Sequence, residues 1–223
     1  MSTKIYLSPS NQDANIYAAG NTNEMIQCNK IAEAAKKYLE KHGFDVKKTA
    51  QGQNMWTSIN ESNAWGANLH VPIHTNAFNG TLTGGTLIML HTASGNNLKA
   101  GTAILSQLAP VTPGKDYAIQ ERPTLAELNA TKAIAVYIEC EFHDTVDGAN
   151  FIINNTDKLG EAIAHGICDY FGIKWYDENK ADTESDSFYR VQVGAFSQKE
   201  NAEKQLDKLK DEGYDAFVVE VDK

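Results

Sequence analysis

Two histidines four residues apart, His70 and His74 in the run Asn68-Leu69-His70-Val71-Pro72-Ile73-His74, are the first groups in this chain that could do chemistry. On a helix they would share one face a turn apart, the arrangement that zinc-protease histidines use. Pro72 between them, the strand-forming Val71 and Ile73, and the lack of a glutamate beside His70 all speak for a strand instead. On a strand, residues four apart share a face but stand about 13 Å apart, so one ion cannot bind both. His74 is the better ligand, because it closes the run and precedes the polar turn Thr75-Asn76-Ala77. Open α/β sheets build their sites at such carboxyl ends. His70 reads as a core histidine whose ring nitrogen meets a backbone partner.

Glu139 is the second such group. It follows Ala133-Ile134-Ala135-Val136-Tyr137-Ile138, the most strand-like run in the chain. A carboxylate at the end of a buried strand is partly desolvated, and its pKa rises toward working pH, which suits a general acid/base. Strand alternation puts Glu141 and His143 on its side and Cys140 on the other. Cys140 therefore reads as packing; it has no nearby basic partner that would make it a thiolate nucleophile.

The segment AVYIECEFHD resembles that of the type-3 N-acetylmuramoyl-L-alanine amidases, in which a glutamate at the position of Glu139 is the catalytic acid/base. HVPIHTNA resembles the same family's strand ending in a zinc-binding histidine, which places that ligand at His74. The first strand, Pro9 and then Glu24 opening a helix resemble the family's first motif and its glutamate ligand. The resemblance runs from about Lys4 to Ile173. It implies Zn2+ as cofactor and hydrolysis of the amide between N-acetylmuramic acid and the L-alanine of the stem peptide, with Glu139 moving the proton. The family normally has a histidine just after Pro-Gly, and aligning on Pro9 puts Asn11 or Gln12 there. The third donor is then an amide, a water, or His143 brought in from elsewhere; Gln12, with the longer reach, is preferred over Asn11. A peptidoglycan-binding relative without catalysis is the rival function, and a bound metal with no amidase product would mark it.

The elements that must position these groups alternate. Lys4-Ile5-Tyr6-Leu7 reads as a strand, and Met25, Cys28, Ile31, Ala32, Ala35 and Leu39 recur at helical spacing after the cap Asn23, with Gly43 as the stop. Phe44-Asp45-Val46 begins a strand, Trp56 to Trp65 a polar helix, Thr86 to Leu90 a strand, Leu98 to Leu108 a helix, and Lys158 to Phe171 the last helix of the region. Strands apolar on both faces alternating with helices predict an α/β fold: a twisted, mostly parallel sheet with helices on both sides.

Residues 176–186 carry five acidic groups and no core former, and read as a self-repelling linker. Beyond it, FYRVQVGAF, AEKQLDKLK and AFVVEV predict a small βαβ unit. This unit resembles a sporulation-related repeat (SPOR) domain, which binds peptidoglycan glycan strands, but holds only one of that domain's two βα repeats plus a strand. The expected organisation is a catalytic domain over 1–175, a linker over 176–186 and a SPOR-like half-domain over 187–223, with pairing of two half-domains in a homodimer as an expectation.

A formal net charge of -9 excludes a basic nucleic-acid-binding surface. No apolar run approaches the length of a transmembrane helix, and the opening residues lack the apolar stretch of a secretory signal. Cys28, Cys140 and Cys168, odd in number and widely spaced, read as reduced buried thiols. A wall hydrolase with these features is expected to be made in the cytoplasm and released, as an endolysin or an autolysin is.

Overall fold

Alternation along three strands separates a core from a site. In β1 (Lys4–Pro9), β3 (Leu69–Asn76) and β6 (Ile134–Phe142), Ile5, Leu7, Leu69, Val71, Ile73, Val136, Ile138 and Cys140 enter the main hydrophobic core. The intervening Tyr6, Ser8, His70, His74 and Glu139 take the other face. The sequence suggests strands apolar on both sides; in this computed structural model only one side of the three is, because the other carries the chemistry. Residues 2–80, 84–114, 118–176, 193–214 and 216–218 are described.

The sheet adds β2 (Asp45–Lys48), β4 (Leu87–Leu90) and β5 (Ala118–Glu121) in the order β2-β1-β3-β6-β4-β5. β2, β1, β3 and β6 pair in parallel; β4 runs antiparallel to β6, and β5 is parallel to β4. The expected mostly parallel sheet is present, with a single reversed joint. A chain of apolar runs does not encode strand direction, so this reversal has no signature in the sequence.

Helix α1 (Glu24–Lys41) starts where Asn23 Oδ1 accepts from the Ile26 amide at 3.0 Å, and Gly43 follows its end at φ +83°. Both are the predicted boundaries. Helix α6 (Thr156–Phe171) packs against α1 and against α3 (Gly95–Leu108) on the apolar face of the sheet. Two glycines permit this: a Cβ on Gly160 would stand 2.5 Å from Ala34 Cβ, and one on Gly166 would stand 2.4 Å from Ile104 Cα. Helices α2 (Met55–Trp65) and α4 (Ala126–Asn129) cover the polar face, where Glu61 meets Tyr6 and Glu127 meets Ser8.

Three boundaries differ from the sequence reading. β6 continues to Phe142, because Cys140 and Phe142 keep burying apolar groups, so Glu139 lies inside the strand rather than after it. The expected last helix is preceded by a separate one, α5 (Val146–Asn154), capped by the Thr145 side chain. β5 and α4 are each four residues long and too short for a periodic signal.

The chain divides into two units, Met1–Tyr176 and Asp177–Lys223. Residues 177–186 of the predicted linker, 188–192 of the first predicted strand and 219–221 of the last lie outside the described residues. In the second unit α7 (Lys199–Asp211) is the predicted helix, while residues 193–196 and 216–218 are described without strand pairing. Among the described residues no helix is long and apolar enough to cross a membrane, and all three cysteines are free and buried.

Candidate active site

The carboxyl ends of β1, β3 and β6 open onto the loop that joins β1 to α1. An Ile16–Asn23 bridge closes this loop on itself and sets Glu24, the first residue of α1, beneath the end of β3. His74 Nδ1 lies 2.8 Å from Glu24 Oε1 and 3.4 Å from the side-chain amide of Gln12. Asn15 ties the two together: its amide donates to Glu24 Oε2 at 2.6 Å and to Gln12 Oε1 at 2.9 Å. The predicted trio of Gln12, Glu24 and His74, drawn from 63 residues of sequence, therefore meets around one ring nitrogen.

Donors on a tetrahedral ion bound at about 2.0–2.1 Å stand roughly 3.3 Å apart. The two separations from His74 Nδ1, 2.8 and 3.4 Å, bracket that edge, so the donor set fits a small divalent ion. The fit requires the Gln12 amide to turn over. As placed, its nitrogen faces His74 and its oxygen faces Asn15, and only the oxygen can ligate. Among the described residues no three of His, Cys, Asp and Glu are placed to hold a metal ion together, so an ion bound by His74 and Glu24 would also need an amide or a water. Asn11 is exposed and makes no such approach. His143 is held elsewhere, stacked on Tyr17, with Nδ1 3.0 Å from the Thr75 carbonyl oxygen.

Glu139 is the Cα partner of His74 across the β3–β6 pair. Part of its side chain reaches solvent, yet Oε2 is sealed from water and has no hydrogen-bond partner. Burial pushes its carboxyl up, and the nearby Glu24 adds to the effect against the opposing charge of His74; the result is about 7. A carboxyl poised there both takes and returns a proton near neutrality. Burial alone would lower His74, but the Glu127 carboxylate beside Nε2, the hydrogen bond to Glu24 and the charges of Glu139 and Glu24 raise it to about 10. Glu24 moves the opposite way: against burial, contacts with His74, Asn15 and Ser10 hold it below its ordinary range. Three carboxylates around one imidazole make a centre that attracts positive charge.

The other expectations fall outside this centre. His70 is fully buried as predicted, but its partner is the carboxylate of Glu127, 3.4 Å from Nε2, and not a backbone group. Glu141 turns away to the loop before β4, accepting from the Gly85 and Phe142 amides. A side chain at Gly84 would collide with it. Cys140 sits in the apolar core, and burial drives its thiol far above the usual range, which removes it as a nucleophile. Sequence reasoning missed Glu127 and Asn15. Asn15 lies in the loop before the Asn23 cap, where an amide has no pattern to betray it.

A family profile described as N-acetylmuramoyl-L-alanine amidase matches residues 10–169. The chain belongs to that family. A second profile, the SPOR domain, matches residues 174–223. The sporulation-specific N-acetylmuramoyl-L-alanine amidase of Bacillus subtilis (strain 168) is 26% identical over 97% of this chain and 84% of its own length. Among solved structures, the catalytic domain of an amidase from Bacillus (Paenibacillus) polymyxa var. colistinus superposes with a TM-score of 0.70 at 15% identity, over 77% of this chain and 99% of the other. An amidase from Clostridium difficile 630 gives 0.69 at 22% identity, over 78% of this chain and 99% of the other. The amidase is thus a peptidoglycan hydrolase acting on the amide between N-acetylmuramic acid and L-alanine, and its SPOR domain fits binding to the cell wall.

Proposed function

We propose that the amidase works with Zn2+ held by Glu24, His74 and the side-chain oxygen of Gln12, and that Glu139 is its acid/base. The observation that carries this reading is the meeting of Gln12, Glu24 and His74 Nδ1 beside a half-sealed Glu139. Zinc, when bound, lowers the pKa of water and polarises the scissile carbonyl. Glu139 takes the proton of the attacking water and returns it to the departing amine of L-alanine. Glu24 and Asn15 keep His74 turned so that Nδ1 points into the site.

The setting supported best is that of a bacterial autolysin, because the similarity to the sporulation-specific amidase of B. subtilis runs through 97% of the chain, tail included. Two copies of the SPOR-like unit pairing on the glycan would tether the catalytic domains to their substrate. Mass spectrometry of digested, purified peptidoglycan tests the catalytic reading. Stem peptides with a free L-alanine amine should appear with zinc-loaded protein and vanish with His74→Ala, which should also lose the metal. Full zinc content in His74→Ala would overturn the ligand assignment.

A further inference from the structure

The two histidines of β3 cannot share an ion, but they share a carboxylate. Glu127, on the single turn of α4, reaches down onto the polar face of the sheet and is 5% exposed. Its Oε1 accepts from Ser8 Oγ and stands 3.4 Å from His70 Nε2, and its Oε2 stands 3.8 Å from His74 Nε2. Ser8, His70 and His74 are themselves 3%, 0% and 7% exposed, so water has little access to this cluster. The ring of His70 is stacked on Tyr6, which fixes its plane.

These contacts give the two nitrogens of His74 opposite tasks. Nδ1 faces Glu24 and Gln12, the ion side, while Nε2 faces only Glu127. A neutral imidazole carries one proton and one lone pair, and a ligand must offer the lone pair to the metal. In the metal-free protein Nδ1 shares its proton with Glu24 at 2.8 Å; when an ion displaces that proton, the carboxylate behind Nε2 keeps the other one there and leaves the lone pair on Nδ1. We propose that Glu127 is a positioning residue that locks His74 in its Nε2–H form for metal binding, and that His70 holds Glu127 in place.

At 3.8 Å the Glu127–His74 contact is a charge separation and not yet a hydrogen bond; an approach of about 0.8 Å makes it one. His70 supports the assignment. Its Nδ1 has no partner, so its proton is best placed on Nε2, where Glu127 accepts it. A packing role alone leaves the choice of residue unexplained, since a buried carboxylate costs several kcal/mol to desolvate and an apolar side chain of like volume would fill the space at less cost. Outer partners of this kind change metal affinity by about 10–100-fold.

This inference rests on His74 being a ligand, and the test separates the two ideas. Wild type, Glu127→Gln, Glu127→Asp and His74→Ala are titrated with Zn2+ against a chelator, and the histidine ring nitrogens of the zinc-loaded wild type are read by 15N NMR. The expected results are a roughly 10–100-fold weaker zinc constant for Glu127→Gln, partial recovery in Glu127→Asp, and a His74 signal protonated on Nε2, assigned by its loss in His74→Ala. Unchanged affinity in Glu127→Gln, beside lost affinity in His74→Ala, overturns the role of Glu127 and leaves the ion site standing. If His74→Ala binds zinc like wild type, the ion site itself is wrong and the inference falls with it. Should Glu127→Gln fail to fold, the wild-type spectrum still decides, because a His74 proton on Nδ1 overturns the proposal.

Discussion

His74 and Glu139 are paired Cα to Cα in the parallel ladder of β3 and β6, so they rise from the sheet side by side on one face. In the proposed mechanism this relationship puts the proton carrier next to the ion without making it a ligand. Glu139→Gln should therefore keep zinc at wild-type stoichiometry while turnover of purified peptidoglycan falls by about 10²–10⁴-fold. Metal analysis and product release on the same preparation check both halves. Near-normal turnover would remove Glu139 from the mechanism.

The same burial that tunes Glu139 has a cost to folding in the metal-free protein. A carboxyl raised from 4.5 to about 7 binds more protons folded than unfolded between those pH values, so its contribution to stability falls as pH rises through that window. The full effect is about 3 kcal/mol, reached above pH 7. Glu139→Gln should then gain stability over wild type between pH 4.5 and 7 and hold the gain above. Chemical denaturation in the presence of a chelator measures it. A difference that does not change with pH would mean that Glu139 titrates normally.

What the sequence shows of this site follows from the kind of signal each part leaves. His74 is legible because it closes a strand before a polar turn, and Glu139 because it follows an unbroken apolar run; Glu24, like Gln12, is marked as a ligand only by the family's motif. Gln12 is legible only against the family's motif, as the residue standing where a histidine is missing. Glu127 leaves no trace: it sits on a four-residue helix, and its partners Ser8 and His70 are 119 and 57 residues away. The spacing of His70 and His74 was informative in a way that geometry alone could not resolve, since the group that connects them comes from another element.

Gln12 offers a direct check of the amide ligand. An imidazole is a better zinc donor than a neutral amide oxygen, and an alanine is no donor at all. Gln12→Ala should weaken zinc binding and Gln12→His should strengthen it, provided the new ring reaches the position now 3.4 Å from His74 Nδ1. Chelator competition on the two variants gives the order. Equal constants for wild type and Gln12→Ala would hand the third position to water.

The second unit, Asp177–Lys223, is expected to pair with a copy of itself. Helix α7 carries its apolar stripe of Ala202, Leu206 and Leu209 only half-buried, and none of its residues is fully covered. Phe217 is 76% exposed and Tyr214 61%. The βαβ stretch expected within this unit, 187–223, is below the size of about 40 residues at which chains usually need disulfides, metals or oligomerisation to bury a sufficient core. No cysteine follows Cys168 in this sequence, and association of two copies is the expectation to be tested. A complete SPOR domain is an internal two-fold repeat, so two copies of this unit pairing about a two-fold axis would rebuild one. Their shared core would draw on Leu206, Leu209 and Phe217, and each dimer would present two catalytic domains to one glycan strand. Light scattering at micromolar concentration should find the full chain a dimer and a chain ending at Ile173 a monomer. A monomeric full chain would rule pairing out, and substituting Leu206 and Leu209 with Asp should in the first case split the dimer without lowering zinc content.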